Sequence, residues 1–221
     1  MSNFKIGEYK SYIILGSILA ILIVSISYIS SIWPRSQEKF FELGLLNKNM
    51  KAENFFASNA SVRNERDPYL FDENVISIND PIKWNIFLGN HMGSNQLVKI
   101  KVKFISSDPV EPMPDDRNHE PSAIATSFEI PVYLKADQTV LVPFVWSVSK
   151  VSYKFEYDEL KRLTINDKPI PLYVRSYDSR FRIVFELWVW DSSKNDFVYG
   201  WNTGKEFLSA SVYLWFKTET F

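Results

Sequence analysis

From residue 40 to the end of the chain the apolar side chains recur with period two almost without interruption, a pattern that admits strands and little else. The stretch Val98-Lys99-Ile100-Lys101-Val102-Lys103-Phe104 alternates strictly, as a strand does when one face is buried and the other wet. Its three lysines read as a solvated face or a guard against edge pairing, with an anion or acidic glycan as the functional alternative. Trp84, Ile86 and Leu88 alternate in the same way, as do Phe128, Ile130, Val132 and Leu134. Val140, Val142, Phe144, Trp146 and Val148 form one face of a longer strand, interrupted opposite by Pro143. Val151, Tyr153, Phe155 and Tyr157 form another. Leu163–Pro171 reads as two short extended pieces around a turn at Asn166-Asp167-Lys168. Phe181–Trp190 and Leu208–Phe216 are strong closing strands, with Phe197–Trp201 between them. Roughly eight strands, polar turns and no long helical pattern after residue 39 predict an all-β, immunoglobulin-like antiparallel β-sandwich. Ser106–Thr126 departs from the pattern: it holds Pro109, Pro112, Pro114 and Pro121 among five acids, and reads as an extended surface loop.

A different signal precedes the strands. Tyr12–Ile32 carries no charge over 21 residues, and a helix of that length spans roughly 30 Å, the thickness of a bilayer core. Tyr9 and Tyr12 at one end, and Tyr28 and Trp33 at the other, suit the two headgroup belts, and Pro34 ends the helix. The alternative is a cleaved signal peptide, with Tyr12–Val24 as its apolar stretch and Ser25 and Ser27 before the cut. The apolar run continues through Ile26, Ile29 and Ile32, longer than cleavage requires, which favours a single uncleaved transmembrane helix over residues 12–33. The expected organisation is a cytoplasmic head at 1–11, a lipid-embedded helix Tyr12–Trp33, and an extracytoplasmic domain at 34–221. The sequon Asn59-Ala60-Ser61 makes Asn59 a glycosylation candidate on that side.

Composition removes several functional classes. The chain has no cysteine, so thiolate metal sites, iron–sulfur clusters and a catalytic thiol are excluded. A net charge of −1 gives no electrostatic footprint for nucleic acid. Only His91 and His119 are available as imidazole bases, and neither lies in a nucleophile-elbow or zincin pattern. There is no phosphate-binding glycine loop. No catalytic constellation and no cofactor are therefore expected. Asp115, Asp116, His119 and Glu120 are the metal-ligand candidates, oxygen ligands with one imidazole; a solvated acidic loop is the simpler reading. His91-Met92 is a softer pair suited to copper, against a tight turn in which His91 bonds backbone and Gly93 takes a positive φ.

The residues that stand out for binding lie near the C-terminal end. If Phe181, Ile183, Phe185, Leu187 and Val189 face the core, the opposite face of that strand carries Arg182, Val184, Glu186, Trp188 and Trp190. On the last strand, Leu208, Ala210, Val212, Leu214 and Phe216 facing the core leave Tyr213 and Trp215 outward. Three tryptophans on one outer face read either as a platform for sugar rings or a protein, or as a second small core covered by Ser106–Thr126 or by the segment after the anchor.

Glu42-Leu43-Gly44-Leu45-Leu46 with Ala52-Glu53-Asn54-Phe55 resembles the opening strand of the archaeal domain-of-unknown-function family 1616. Gly89-Asn90-His91-Met92-Gly93-Ser94 is similar to that family's asparagine–histidine turn, and Phe185-Glu186-Leu187-Trp188 to its late strand. The resemblance spans about residues 38–217 and implies an archaeal membrane-anchored β-domain, with no activity attached. Together these features predict a non-catalytic extracytoplasmic module that binds or assembles with an envelope protein, a glycan or a membrane complex. The alternative is a metal-dependent enzyme or metal-binding protein using the acidic loop 108–120.

Overall fold

A computed structural model of the protein describes residues 19–21, 23, 38–56, 75–106, 113–115 and 118–218. It divides into Met1–Glu38 and Lys39–Phe221. In the first unit Leu19, Ala20, Ile21 and Ile23 are helical and exposed; the rest of the expected anchor Tyr12–Trp33, its head at 1–11 and the sequon at Asn59 lie outside the described residues. Among the described residues no helix is long and apolar enough to cross a membrane.

The second unit is built of strands: β1 Phe41–Asn47, β2 Val75–Ile76, β3 Ile82–Asn90, β4 Gln96–Ser106, β5 Phe128–Leu134, β6 Thr139–Tyr153, β7 Asp158–Ile165, β8 Lys168–Ser176, β9 Arg180–Asp191, β10 Asp196–Tyr199, β11 Trp201–Asn202, β12 Phe207–Leu208 and β13 Ser211–Thr218. Sheet one has the order β1-β3-β6-β7-β8, and sheet two the order β2-β13-β9-β4-β5. β10 takes over from β13 along β9: Ser211 pairs with Glu186, and Tyr199 with Trp188. Among the described residues every strand pairing is antiparallel except the two-residue contact of β13 with β2, and the isolated Trp188–Gly200 bridge is parallel as well.

The inward faces of the two sheets meet in one aromatic core, for the reason the alternation implies. Trp84 and Phe144 of sheet one pack against Phe185 of sheet two, with ring centroids 6.1 and 5.1 Å apart. Trp146 packs against Phe216 at 5.1 Å and Phe104 at 5.7 Å. All of these side chains are buried.

Turn chemistry sets the connections. Asn166 and Asp167 both take positive φ, 45° and 64°, the backbone a two-residue hairpin requires, and they join β7 to β8. Gly200, at φ 86°, breaks the expected Phe197–Trp201 strand into β10 and β11; a Cβ there would collide with the Leu208 carbonyl oxygen. Asn90 is fully buried and organises the end of the sandwich that holds the Asn90-His91 turn. Its amide donates to the Ser94 and Lys135 carbonyls at 2.9 and 2.8 Å, and its Oδ1 accepts the Met92 N–H at 3.0 Å.

Three further strand expectations need correction. Leu208–Phe216 is not one strand: Leu208 ends β12, which pairs with β11, and Ser211–Phe216 lie in β13, which pairs with β9. Val151–Tyr157 is not a separate strand. Val151–Tyr153 extend β6 past a bulge at Lys150, and Phe155 sits in the following turn, 104% exposed. The Lys99-Lys101-Lys103 face is neither wet nor at an edge, because β4 is central, between β9 and β5. Lys103 is buried, and Lys101 lies over the Trp188 ring, 3.3 Å from its centroid.

Candidate functional site: two outer sheet faces

Register brings the predicted aromatic residues together on the outer face of sheet two: Tyr213 pairs with Val184, and Trp215 with Arg182. The face is covered for most of its extent. Glu186, expected at the surface, is fully buried and is the centre of a closed network. Its Oε2 lies 2.9 Å from Lys103 Nζ and accepts Trp188 Nε1–H at 3.0 Å. Its Oε1 accepts from Lys103 Nζ at 3.0 Å and from the Ser122 backbone N–H at 2.8 Å. Lys103 Nζ also donates to the Ser122 carbonyl at 2.6 Å. A carboxylate on a sheet face beside two tryptophans is tolerable only when its charge and lone pairs are met; Lys103 meets the charge, and Trp188 and the Ser122 backbone N–H of the Pro-rich loop add hydrogen bonds.

The rings around this network are occupied as well. Trp188 packs against Tyr199 at 6.0 Å beneath Lys101, and burial holds the Lys101 amine below the usual lysine range, with Glu129 partly opposing. Trp190 meets Phe197 edge-on at 5.2 Å. The Arg182 guanidinium stands 3.4 Å over the Trp215 ring. Tyr213 alone among the predicted face residues is exposed, at 48%. At the centre of this face, Ser122 of the Ser106–Thr126 segment lies against Glu186.

The metal candidates do not converge. Asp115 and Glu120 exchange both backbone hydrogen bonds, at 2.9 and 3.0 Å, while the Asp115 carboxylate accepts from Asn118 Nδ2 at 2.7 Å. His119, at φ 56°, places Nδ1 3.1 Å from Ser209 Oγ and meets the Phe207 ring edge-on. Asp116 lies outside the described residues. Among the described residues no group of three or more His, Asp or Glu side chains is placed to hold a metal. His91 stacks on Phe40 at 4.4 Å, donates its backbone N–H to the Phe40 carbonyl, and sets Nε2 3.3 Å from Glu42 Oε2. Gly93 takes φ 70°. His91-Met92 thus takes the conformation of the tight turn.

The open apolar surface lies on the other side of the sandwich. The outer face of sheet one carries Leu46 of β1, Phe87 of β3, and Leu141, Pro143 and Val145 of β6. Leu141 is 43% exposed and Pro143 is exposed, while Leu46, Phe87 and Val145 are half-buried. Met50, in the turn after β1 at φ 63°, folds back so that its sulfur accepts from Asn85 Nδ2 at 3.4 Å, and is itself 46% exposed. Sequence reasoning passed over these residues by following the inward set Val140–Val148. The signal was present: Val140–Trp146 has no polar residue, and such an unbroken run marks a strand covered on both faces.

No family model and no curated protein matches the chain. Among solved structures it is similar to the CARDB domain of a Pyrococcus furiosus protein in complex with di-metal ions, at 8% identity and a TM-score of 0.36, over 83% of this chain and 96% of that one.

Proposed function

We propose that the protein is a non-catalytic binding and assembly module, an immunoglobulin-like sandwich held at the membrane by Tyr12–Trp33 and standing outside the cytoplasm. The observation that carries the binding role is the uncovered apolar face of sheet one, where Leu46, Met50, Phe87, Leu141, Pro143 and Val145 meet solvent. Contiguous apolar surface of this kind marks interaction sites on soluble domains. Strand order supports the immunoglobulin-like assignment: β1, β3 and β6 neighbour one another in one sheet and β13, β9 and β4 in the other, the arrangement of two interlocked Greek keys. The uncharged run of residues 12–32 supports the anchor, and the resemblance to family 1616 supports an archaeal envelope setting.

The test is a Leu141→Asp form of the full chain in its native membrane. Its stability is expected within about 0.5 kcal/mol of wild type, as for other surface changes, while its association with membrane or envelope components is lost. Wild-type association in this variant would remove the face from the proposal.

A further inference from the structure

The open face of sheet one is complementary to itself. On this face the register sets Lys83 beside Val145, then a row of Leu46, Asn85 and Pro143, then a row of Gly44, Phe87 and Leu141, and finally Glu42, Gly89 and Thr139. We propose that the face is closed by the same face of a second copy of the chain, about a two-fold axis perpendicular to the strands and lying in the plane of contact between the Asn85 and Phe87 rows. This rests on the reading of the face as an interaction surface and names its partner.

The axis exchanges the two middle rows with each other and the first row with the last. Leu46 then stands over Gly44 of the second copy, against the flank of the Phe87 side chain, whose nearest atoms lie 3.7 and 3.8 Å from where a Cβ on the glycine would be. Pro143 meets Leu141, and Asn85 with Met50 meets Phe87. Lys83 arrives over Gly89, and there the complementarity becomes electrostatic. Glu42 lays its side chain across Gly89, so closely that a Cβ on the glycine would stand 2.5 Å from Glu42 Oε2. Lys83 is exposed and has no ion-pair partner among the described residues. Sheets that pack face to face lie about 10 Å apart, a gap that a lysine and a glutamate span together. Each copy thus supplies one cation and one anion at opposite ends of an apolar strip, and the symmetry pairs them twice. An isologous interface is self-complementary, and the match of positive end with negative end meets that condition here. A partner of single charge sign, such as an anionic lipid surface, would find one end of the strip repulsive.

The chain contains no cysteine, so a cysteine introduced at Asn85, beside the axis, reports on this contact alone. Full-length Asn85→Cys in membranes is expected to give a covalent dimer with a short bis-maleimide, while Tyr213→Cys, on the outer face of sheet two, gives none. Lys83→Glu and Glu42→Lys are each expected to weaken the dimer about tenfold in dissociation constant or more, the scale of a close charge pair, and the doubly exchanged chain recovers it. Absence of the Asn85 cross-link together with a monomeric full-length chain overturns the proposal. If that monomer still loses a different partner on Leu141→Asp, only the second-copy assignment falls. If Leu141→Asp alters no association at all, the reading of the face falls with it.

Discussion

Glu186 concentrates more of the molecule's organisation than any other polar residue of β9. Three hydrogen bonds, from Lys103, Ser122 and Trp188, and the ion-pair contact of Lys103 with the second oxygen converge on its carboxylate in a site closed to solvent. Glu186→Ala is therefore expected to cost about 3–5 kcal/mol, because it leaves the Lys103 ammonium buried without a counter-charge. The double replacement Lys103→Met with Glu186→Leu removes both charges and is expected to recover most of that loss. Urea denaturation of the single and double variants checks the difference, and equal stabilities would show the network to be energetically inert. Phe185, one residue away on the opposite face, is in the inter-sheet core, and Phe185→Ala is expected to cost roughly 3–5 kcal/mol through transfer and cavity terms.

At the scale of elements, the Pro-rich loop and the β7–β8 hairpin make contrasting predictions. Ser122 holds the loop down through its backbone N–H and carbonyl, so the side chain contributes only its bond to the Ile124 N–H at 3.2 Å. Ser122→Ala is expected to cost no more than about 1 kcal/mol, the worth of one such bond, far less than Glu186→Ala. Across the β7–β8 pair, the Arg175 Nε–H of β8 donates to Glu159 of β7 at 3.2 Å and holds that carboxyl below its ordinary range, with Lys161 adding to the effect. A depressed folded value means the folded state binds fewer protons than the unfolded one. The contribution of Glu159 is thus complete above the usual glutamate pKa of about 4.3 and is lost as the pH falls through the lower folded value. Melting temperatures measured down to about pH 2, a span that takes the carboxyl from ionised to protonated, should fall less steeply for Glu159→Gln than for wild type. Parallel curves would sever the link.

For the whole molecule, two predictions concern its setting. The uncharged length of residues 12–32 leads to the expectation that the chain sediments with membranes, retains an N-terminus near Met1, and loses its β-domain to protease added outside intact cells. A mature N-terminus near Tyr28 would replace the anchor with a cleaved leader. Because His119 turns to Ser209 and Phe207 while Asp115 is engaged by Asn118, chelators are expected to leave the melting temperature unchanged. A drop reversed by one divalent ion would return Asp115, Asp116, His119 and Glu120 to the list of ligands.

Alternation with period two located most of the strands, their inward faces and the two-sided aromatic core, because burial on one face is a local property that each strand carries in its own side chains; it misread Val151–Tyr157 as a separate strand and ran through the break at Gly200. It also marked Trp188, Trp190, Tyr213 and Trp215 as sharing a face. What alternation does not carry is the identity of whatever lies against the other face. Only the tertiary structure decided that Ser122, 64 residues from Glu186 in the chain, would bond the carboxylate on the outer face of sheet two, and that β4 would lie inside that sheet with Lys103 buried as the counter-charge. The same holds for sheet one. The unbroken run Val140–Trp146 announced a strand needing cover on both faces, but only the pairing of β6 with β3 and β1 set Leu141, Phe87 and Leu46 into one uncovered strip. Which face is open depends on contacts between residues distant in sequence, and their free energy resides in no single segment.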